Sequence, residues 1–235
     1  MLAELIKRYT TRGLRSTLHS VATEFRVNLA HQNGKRRVNA YRGAKGLRIH
    51  FGCGSTIKTD WINVDLDPHA DVKLDLREPL PFEDGSAAFI YSEHFLEHLS
   101  YPDEAVRWTS ECARVLQTGG IFSVGVPDAE WPIKAYTGDP EYAGWFDYVR
   151  SVYPDGKAMT RMELINHSFR QWAEHKMAYD FETLAQLLST AGLGNVRRRE
   201  WTKGLDSEKS RFSLNADGSK CTTLYVEATK PTAGV

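Results

Sequence analysis

Cysteine is scarce in this 235-residue chain: Cys53, Cys112 and Cys221 lie far apart and form no Cys-x-x-Cys pair. That argues against a disulfide-stapled module and a thiolate zinc site, and it suits a reducing compartment. Long apolar runs are missing as well, since none approaches the ~18 residues of a membrane span. The opening residues MLAELIKRYTTRGLRS lack the apolar core and small-residue cleavage site of a secretory leader. A cytoplasmic setting is therefore expected. Formal net charge is zero, and neither an internal repeat nor a low-complexity tract is visible.

The charge that is present is uneven. Before residue 49 the cations, Arg12, Arg15, Arg36 and Arg37 among them, face only Glu4 and Glu24. Such an arm could meet nucleic acid, an anionic surface or an acidic partner. Aromatic residues for base stacking are sparse there, which argues against nucleic acid and for a solvated helix packed on the body or on a second copy. Residues 1–45 read as a helical extension, with Leu2, Leu5, Ile6 and Tyr9 at helical spacing.

From Gly46 short apolar runs alternate with turns. Strands are expected at Leu47–Phe51, Ile62–Asp65, Asp71–Asp75, Ala88–Ser92, Ile121–Val126, Val196–Trp201 and Thr222–Thr229. One helix is expected after Asp103, with Ala105, Thr109, Cys112 and Leu116 on one face and Gly119-Gly120 closing it. A second follows the Asp180 cap, with Leu184, Leu187 and Leu188 on its stripe and Gly192 past its end. This pattern predicts an α/β fold: a Rossmann-like, doubly wound, mostly parallel seven-stranded sheet with helices on both faces. Residues 46–235 form the main domain. Within it, the aromatic-rich stretch 128–178 reads as a lid or acceptor-binding insertion.

The stretch HFGCGSTIKTDWINVDLDP carries the first chemistry. Gly52 and Gly54 let the backbone turn sharply and approach a ligand closely. Asp65, ending the next strand, is placed to accept from a ribose diol. A dinucleotide fits less well, because Gly-Cys-Gly-Ser-Thr lacks the third glycine and Asp65 follows Gly54 too soon for the usual ~20-residue spacing. Only about ten residues join the first two strands, short of a helical crossover, so a turn is expected there.

HFGCGS, INVDLD, DVKLDLREPLPFEDGSAAFIYSEHFLEHL and ECARVLQTGGIFSVGVPD, in that order, resemble the motifs of class I S-adenosylmethionine-dependent methyltransferases of the methyltransferase-11-like branch. The resemblance implies that Gly52, Cys53 and Gly54 line the methionine end of the cofactor and that Asp65 holds the ribose. It implies that Asp75 accepts from the adenine amino group, that Leu76 packs on the ring, and that Ser92, Glu93 and His94 close the site near the sulfonium. His50 stands where the branch usually has an acidic residue, and Glu93 is the candidate to replace it.

Methyl transfer to a hydroxyl benefits from a general base, most often His. The candidates are His94, His167 and His175, with Asp128 as the carboxylate alternative; His98 reads as structural. Asp128 and Glu130 with another carboxylate could hold Mg²⁺, but their spacing is ordinary for a loop and no metal is expected. Trp and Tyr faces in 128–178 suit a sugar or planar acceptor. The expected activity is O-methylation of a small-molecule or saccharide acceptor. The alternatives are N- or C-methylation of a small metabolite or protein side chain, or a cofactor-binding subunit without catalysis. A homodimer through the N-terminal extension is a further expectation.

Overall fold

The computed structural model describes residues 10–153, 159–206 and 222–232. The Leu2–Tyr9 stripe and Cys221 lie outside the described residues. Helix α1 spans Arg12–Val38, started by Thr11, whose hydroxyl accepts from Leu14 N at 3.1 Å. Its last third is docked on the body. Gly34 lies so close to the chain at Lys73 that a Cβ there would sit 2.0 Å from the Lys73 carbonyl oxygen. Arg37 donates to Asp71 O at 2.7 Å, and His31 Nδ1 accepts from Asp75 N at 3.2 Å. Earlier in α1, Leu14, Leu18, Val21, Phe25 and Leu29 are exposed.

Strands β1 (Leu47–Phe51), β2 (Ile62–Val64), β3 (Ala87–Glu93), β4 (Leu116–Pro127), β5 (Gly194–Arg199) and β6 (Thr223–Thr229) form one sheet in the order β2-β1-β3-β4-β6-β5. The pairs β1–β2, β1–β3 and β3–β4 are parallel, and β6 runs antiparallel to both β4 and β5. No helix fills the link from β1 to β2, as its length predicts.

The expected seventh strand is not found among the described residues. Asp71–Asp75 contributes a single parallel bridge, Val64 to Val72. The side chains of that segment turn to other work: the Asp71 carboxylate caps Asn63 N at 2.9 Å, and Leu74 and Leu76 enter the core. Gly119-Gly120 does not close a helix either. Helix α2 (Asp103–Val115) passes directly into β4 at Leu116, and both glycines lie inside the strand. Gly119 N donates to Lys230 O at 2.9 Å there, while a Cβ on Gly120 would meet Gln117 O at 2.8 Å.

Helix α2 starts with Asp103 and Glu104, whose charges complement the positive end of the helix. It buries Ala105, Trp108, Thr109 and Cys112. Helix α6 (Phe181–Thr190) is capped by Asp180, which accepts from Thr183 N at 2.8 Å, and buries Leu184, Leu187 and Leu188. The two helices touch each other and lie on one face of the sheet. Ile49, Phe51, Ile90, Phe122, Val124, Leu224 and Val226 meet them in a single apolar cluster.

The opposite face of the sheet carries a polar layer. Arg199 binds Asp206 through two 2.6 Å contacts and Ser123 Oγ at 2.9 Å, and the Tyr91 hydroxyl donates to Asp206 at 3.0 Å. A buried charge needs such complete pairing. His50 lies in this layer too, buried beside Tyr91 and Asn63; burial pushes its pKa down to about 3.

Beyond the tips of β3 and β4, helices α3 (Glu130–Thr137), α4 (Trp145–Val152) and α5 (Arg161–Arg170) build a second small core from Trp131, Trp145, Phe146, Val149 and Leu164. A reciprocal Thr160–Glu163 capping box starts α5.

Candidate active site

The tip of β1 is a tight, self-satisfied turn. Gly52 has φ +66°, and a Cβ there would lie 2.5 Å from Phe95 Cβ. Gly54 has φ +48° with open space beside it. Asp65, half-buried at the end of β2, receives Gly54 N on one carboxylate oxygen and Asp67 N on the other, each at 2.9 Å. A carboxylate offers about four acceptor positions, so two remain for a diol. The residues present thus fit a ribose at this point: an acid fixed by amides, next to a glycine whose missing side chain leaves room. Cys53 is buried, and burial together with Asp65, Asp67 and Asp71 pushes its thiol up to about 12. It is a packing residue, not a nucleophile.

Asp75 is buried and heavily engaged. Arg77 holds it through Nε at 2.9 Å and through a terminal nitrogen at 2.8 Å, and also reaches Glu24 on α1 at 3.0 Å. Burial alone would raise the Asp75 pKa, but the Arg77 contacts outweigh it and hold the group low. Leu76 is buried in the main core. Ser92 is fully buried and its hydroxyl has no protein partner, the one polar atom among the cofactor candidates left unsatisfied. Glu93 accepts from the Tyr225 hydroxyl at 2.5 Å. Tyr225 can lie there because Gly125 faces it; a Cβ on Gly125 would sit 2.7 Å from the ring.

His94 follows β3 with φ +52°, a conformation few non-glycine residues adopt. Its N–H is tied to Gly125 O at 2.9 Å. Nδ1 lies 3.3 Å from Glu97, and Nε2 lies 3.1 Å from the Thr223 hydroxyl. Burial lowers the His94 pKa, but Glu97, with help from Glu93, prevails and leaves it raised. Glu97 itself is buried, and neither carboxylate oxygen makes a well-directed hydrogen bond.

His94, Asp128 and His175 line one cavity of about 290 Å³, together with Trp145, Tyr148 and Tyr153. Three of the four candidate bases, separated by up to 81 positions in sequence (175 − 94), thus converge on one space. Asp128 is buried, which raises its pKa, and Arg198 lies 3.6 Å away. His175 Nδ1 donates to Ser168 O at 3.2 Å, and burial lowers its pKa. His167 does not border this cavity. Its ring is packed between Tyr153 and Trp172, with centroids 4.0 and 4.4 Å away, and its buried Nε2 has no partner. Glu130 pairs with Lys134 at 2.7 Å and Arg198 at 2.8 Å. That commitment disfavours an Asp128–Glu130 magnesium site.

Sequence reasoning passed over four participants. Glu97 was visible as the acid three residues after His94 in EHFLEHL. Arg77, Thr223 and Tyr225 carried no local signal, because their roles depend on contacts across the fold.

A mostly parallel sheet with a glycine turn at one strand tip and an acid at the next is a Rossmann-like arrangement. Residues 49–124 match the family described as a methyltransferase domain, Methyltransf_11, a match that supports a class I S-adenosylmethionine-dependent methyltransferase. No curated protein matches the chain in sequence. Among solved structures the chain is similar to an S-adenosylmethionine-dependent methyltransferase from Thermotoga maritima, at 15% identity, 91% of this chain, 96% of that one and a TM-score of 0.44. It is similar to another from Archaeoglobus fulgidus, at 19% identity, 83% and 92% coverage and a TM-score of 0.47. A third is phosphoethanolamine N-methyltransferase 2 of Haemonchus contortus, at 14% identity, 85% and 53% coverage and a TM-score of 0.45. No helix among the described residues is long and apolar enough to cross a membrane.

Proposed function

We propose that the chain methylates a hydroxyl of a small-molecule or saccharide acceptor, with His94 as the general base. The observation that carries this reading is the 290 Å³ cavity, in which an imidazole oriented by a carboxylate faces a wall of Trp145, Tyr148 and Tyr153. S-adenosylmethionine, when bound, supplies an electrophilic methyl group. Gly52, Cys53 and Gly54 would hold its amino-acid end, Asp65 its ribose, and Asp75 and Leu76 its base. Ser92 and Glu93 would complete the wall near the transferred group.

Within this reading Glu97 keeps the Nδ1 proton of His94 in place, so that Nε2 can take the acceptor's proton. A base whose pKa is raised toward the working pH accepts that proton more readily. The raised, buried Asp128 hydrogen-bonds the acceptor, and the aromatic segment 128–178 excludes water and stacks on its apolar face. His175 and His167 brace that segment. Free thiols at Cys53 and Cys112 support a cytoplasmic setting.

A screen of sugars, phenols and amines for S-adenosylhomocysteine production tests the reading. Turnover with a hydroxyl acceptor is expected; turnover with amines alone would remove the base and the oxygen acceptor together. Asp65→Ala is expected to weaken cofactor binding at least ~10-fold by calorimetry, since it removes the ribose acceptor.

The exposed stripe Leu14, Leu18, Val21, Phe25 and Leu29 recurs at steps of three and four residues, the seam of a helix pair. We assign it to a second copy of this chain. Sedimentation should give a dimer that Phe25→Glu dissociates; a monomeric wild type would remove the assignment.

A further inference from the structure

We propose that Glu97, His98 and His175 form a binding site for one divalent first-row transition cation of the manganese, cobalt or zinc type, beside the acceptor cavity that His175 also borders. One donor atom from each of the three lies within 4.8 Å of the other two. They come from separate parts of the chain: Glu97 and His98 from the single turn Leu96–His98 after β3, and His175 from the segment that leads into α6.

The proton positions favour a cation. His98 Nδ1 lies 3.2 Å from Glu174 O, and His175 Nδ1 lies 3.2 Å from Ser168 O. A carbonyl oxygen only accepts, so both Nδ1 atoms carry the proton and both Nε2 atoms present a bare lone pair. A backbone carbonyl on the far nitrogen is the usual outer support of a metal-ligating histidine, because it fixes tautomer and ring orientation. The third donor, Glu97, is 1% exposed, and its oxygens lack a well-directed hydrogen bond. Its nearest cationic neighbour, His94 Nδ1 at 3.3 Å, can engage one oxygen and leave the other free.

Two bare imidazole nitrogens and a buried carboxylate thus share a space with little donor character of their own. Leaving such groups unpaired costs stability, and a cation satisfies all three at once. Space for it exists. A small cavity of about 10 Å³ borders two of the three donors, Glu97 and His175, with Asp128 also on its wall, and has room for one water or one ion beside them. Ligand bonds of roughly 2.0–2.2 Å require the three donors to close in by about an ångström, within the reach of side-chain rotation. Two imidazoles with one carboxylate are softer than the all-oxygen sets that hold magnesium or calcium, which selects the transition series.

The metal's bearing on catalysis rests on the acceptor reading given above, because of the three ligands only His175 borders the acceptor cavity and would bring a cation beside it. The binding itself does not. The full-length protein, stripped with a chelator and dialysed, should be titrated with Mn²⁺, Co²⁺ and Zn²⁺ by calorimetry without cofactor or acceptor. One equivalent is expected, with Co²⁺ giving visible absorption bands of a nitrogen- and oxygen-ligated ion. His98→Ala and His175→Gln should each weaken it at least ~10-fold, while the surface variant His69→Ala leaves it unchanged. Absence of saturable binding by wild type would overturn the proposal whatever the variants do. Undiminished binding by folded His175→Gln would do the same and leave Glu97 as the charged partner of His94 alone. Because no acceptor enters the titration, failure of hydroxyl methylation would not alter its result.

Discussion

The two ends of the candidate site are built on opposite principles. At the tips of β1 and β2 nearly every polar group is already spoken for within the chain: Asp65 holds Gly54 N and Asp67 N, and Val64 O receives Gly52 N at 2.9 Å. Beyond β3 and β4, Glu97 is buried without a well-directed bond, the Ser92 hydroxyl is unpaired, and His94 stands in a rarely used backbone conformation. The first end is a finished scaffold whose shape is set by the chain alone. The second holds buried polar groups that the chain satisfies less completely.

The contrast can be broken first at Gly52. Alanine there must tolerate a positive φ and a Cβ within 2.5 Å of Phe95. Gly52→Ala should cost about 3 kcal/mol or more, read from the denaturant midpoint. A smaller loss would mean that the turn is less rigid than its packing implies. The second end should behave differently. His94→Gln should lower turnover ~10²-fold while cofactor affinity and melting temperature stay near wild type, measured by steady-state kinetics, calorimetry and thermal unfolding. A large loss of stability instead would place His94 in the scaffold class.

A smaller effect concerns His50, which sits just before the glycine turn. Its folded pKa, about 3, is far below the ordinary value of 6.5. Below pH 6.5 the unfolded chain takes up this proton and the folded chain does not, so stability falls as pH falls, by up to about 1.4 kcal/mol per pH unit down to the folded pKa. His50→Gln should flatten that slope between pH 6 and 4.5 in urea titrations. The smallest change is expected at Gly54, where a Cβ meets nothing within 4 Å and only the backbone conformation resists. Gly54→Ala should cost about 1 kcal/mol, clearly less than Gly52→Ala. Equal costs would erase the distinction between a packed glycine and a merely conformational one.

Much of this was legible in the residues, and the failures have physical causes. Leu47–Phe51 was readable to the residue because a buried strand between turn signals leaves little freedom. The helix over Leu184, Leu187 and Leu188 was fixed by its Asp180 cap and stripe. Asp71–Asp75 alternates like a strand, yet its carboxylates turn back to cap β2 and to bind Arg77. The glycine pair at 119–120 looked like a helix stop, but it relieves a close approach inside β4. At the site, local motifs located the strand tips; they did not reveal that Asp75 is clasped by Arg77 or that Glu97 lies among three imidazoles. Those facts depend on long-range neighbours, which periodicity does not encode.

Arg77 bridges two acids that lie far apart in the chain. Its guanidinium joins Glu24, on the outlying helix, to Asp75, at the edge where adenine is expected. Any partner that grips the free flank of that helix therefore pulls on a tether one side chain long.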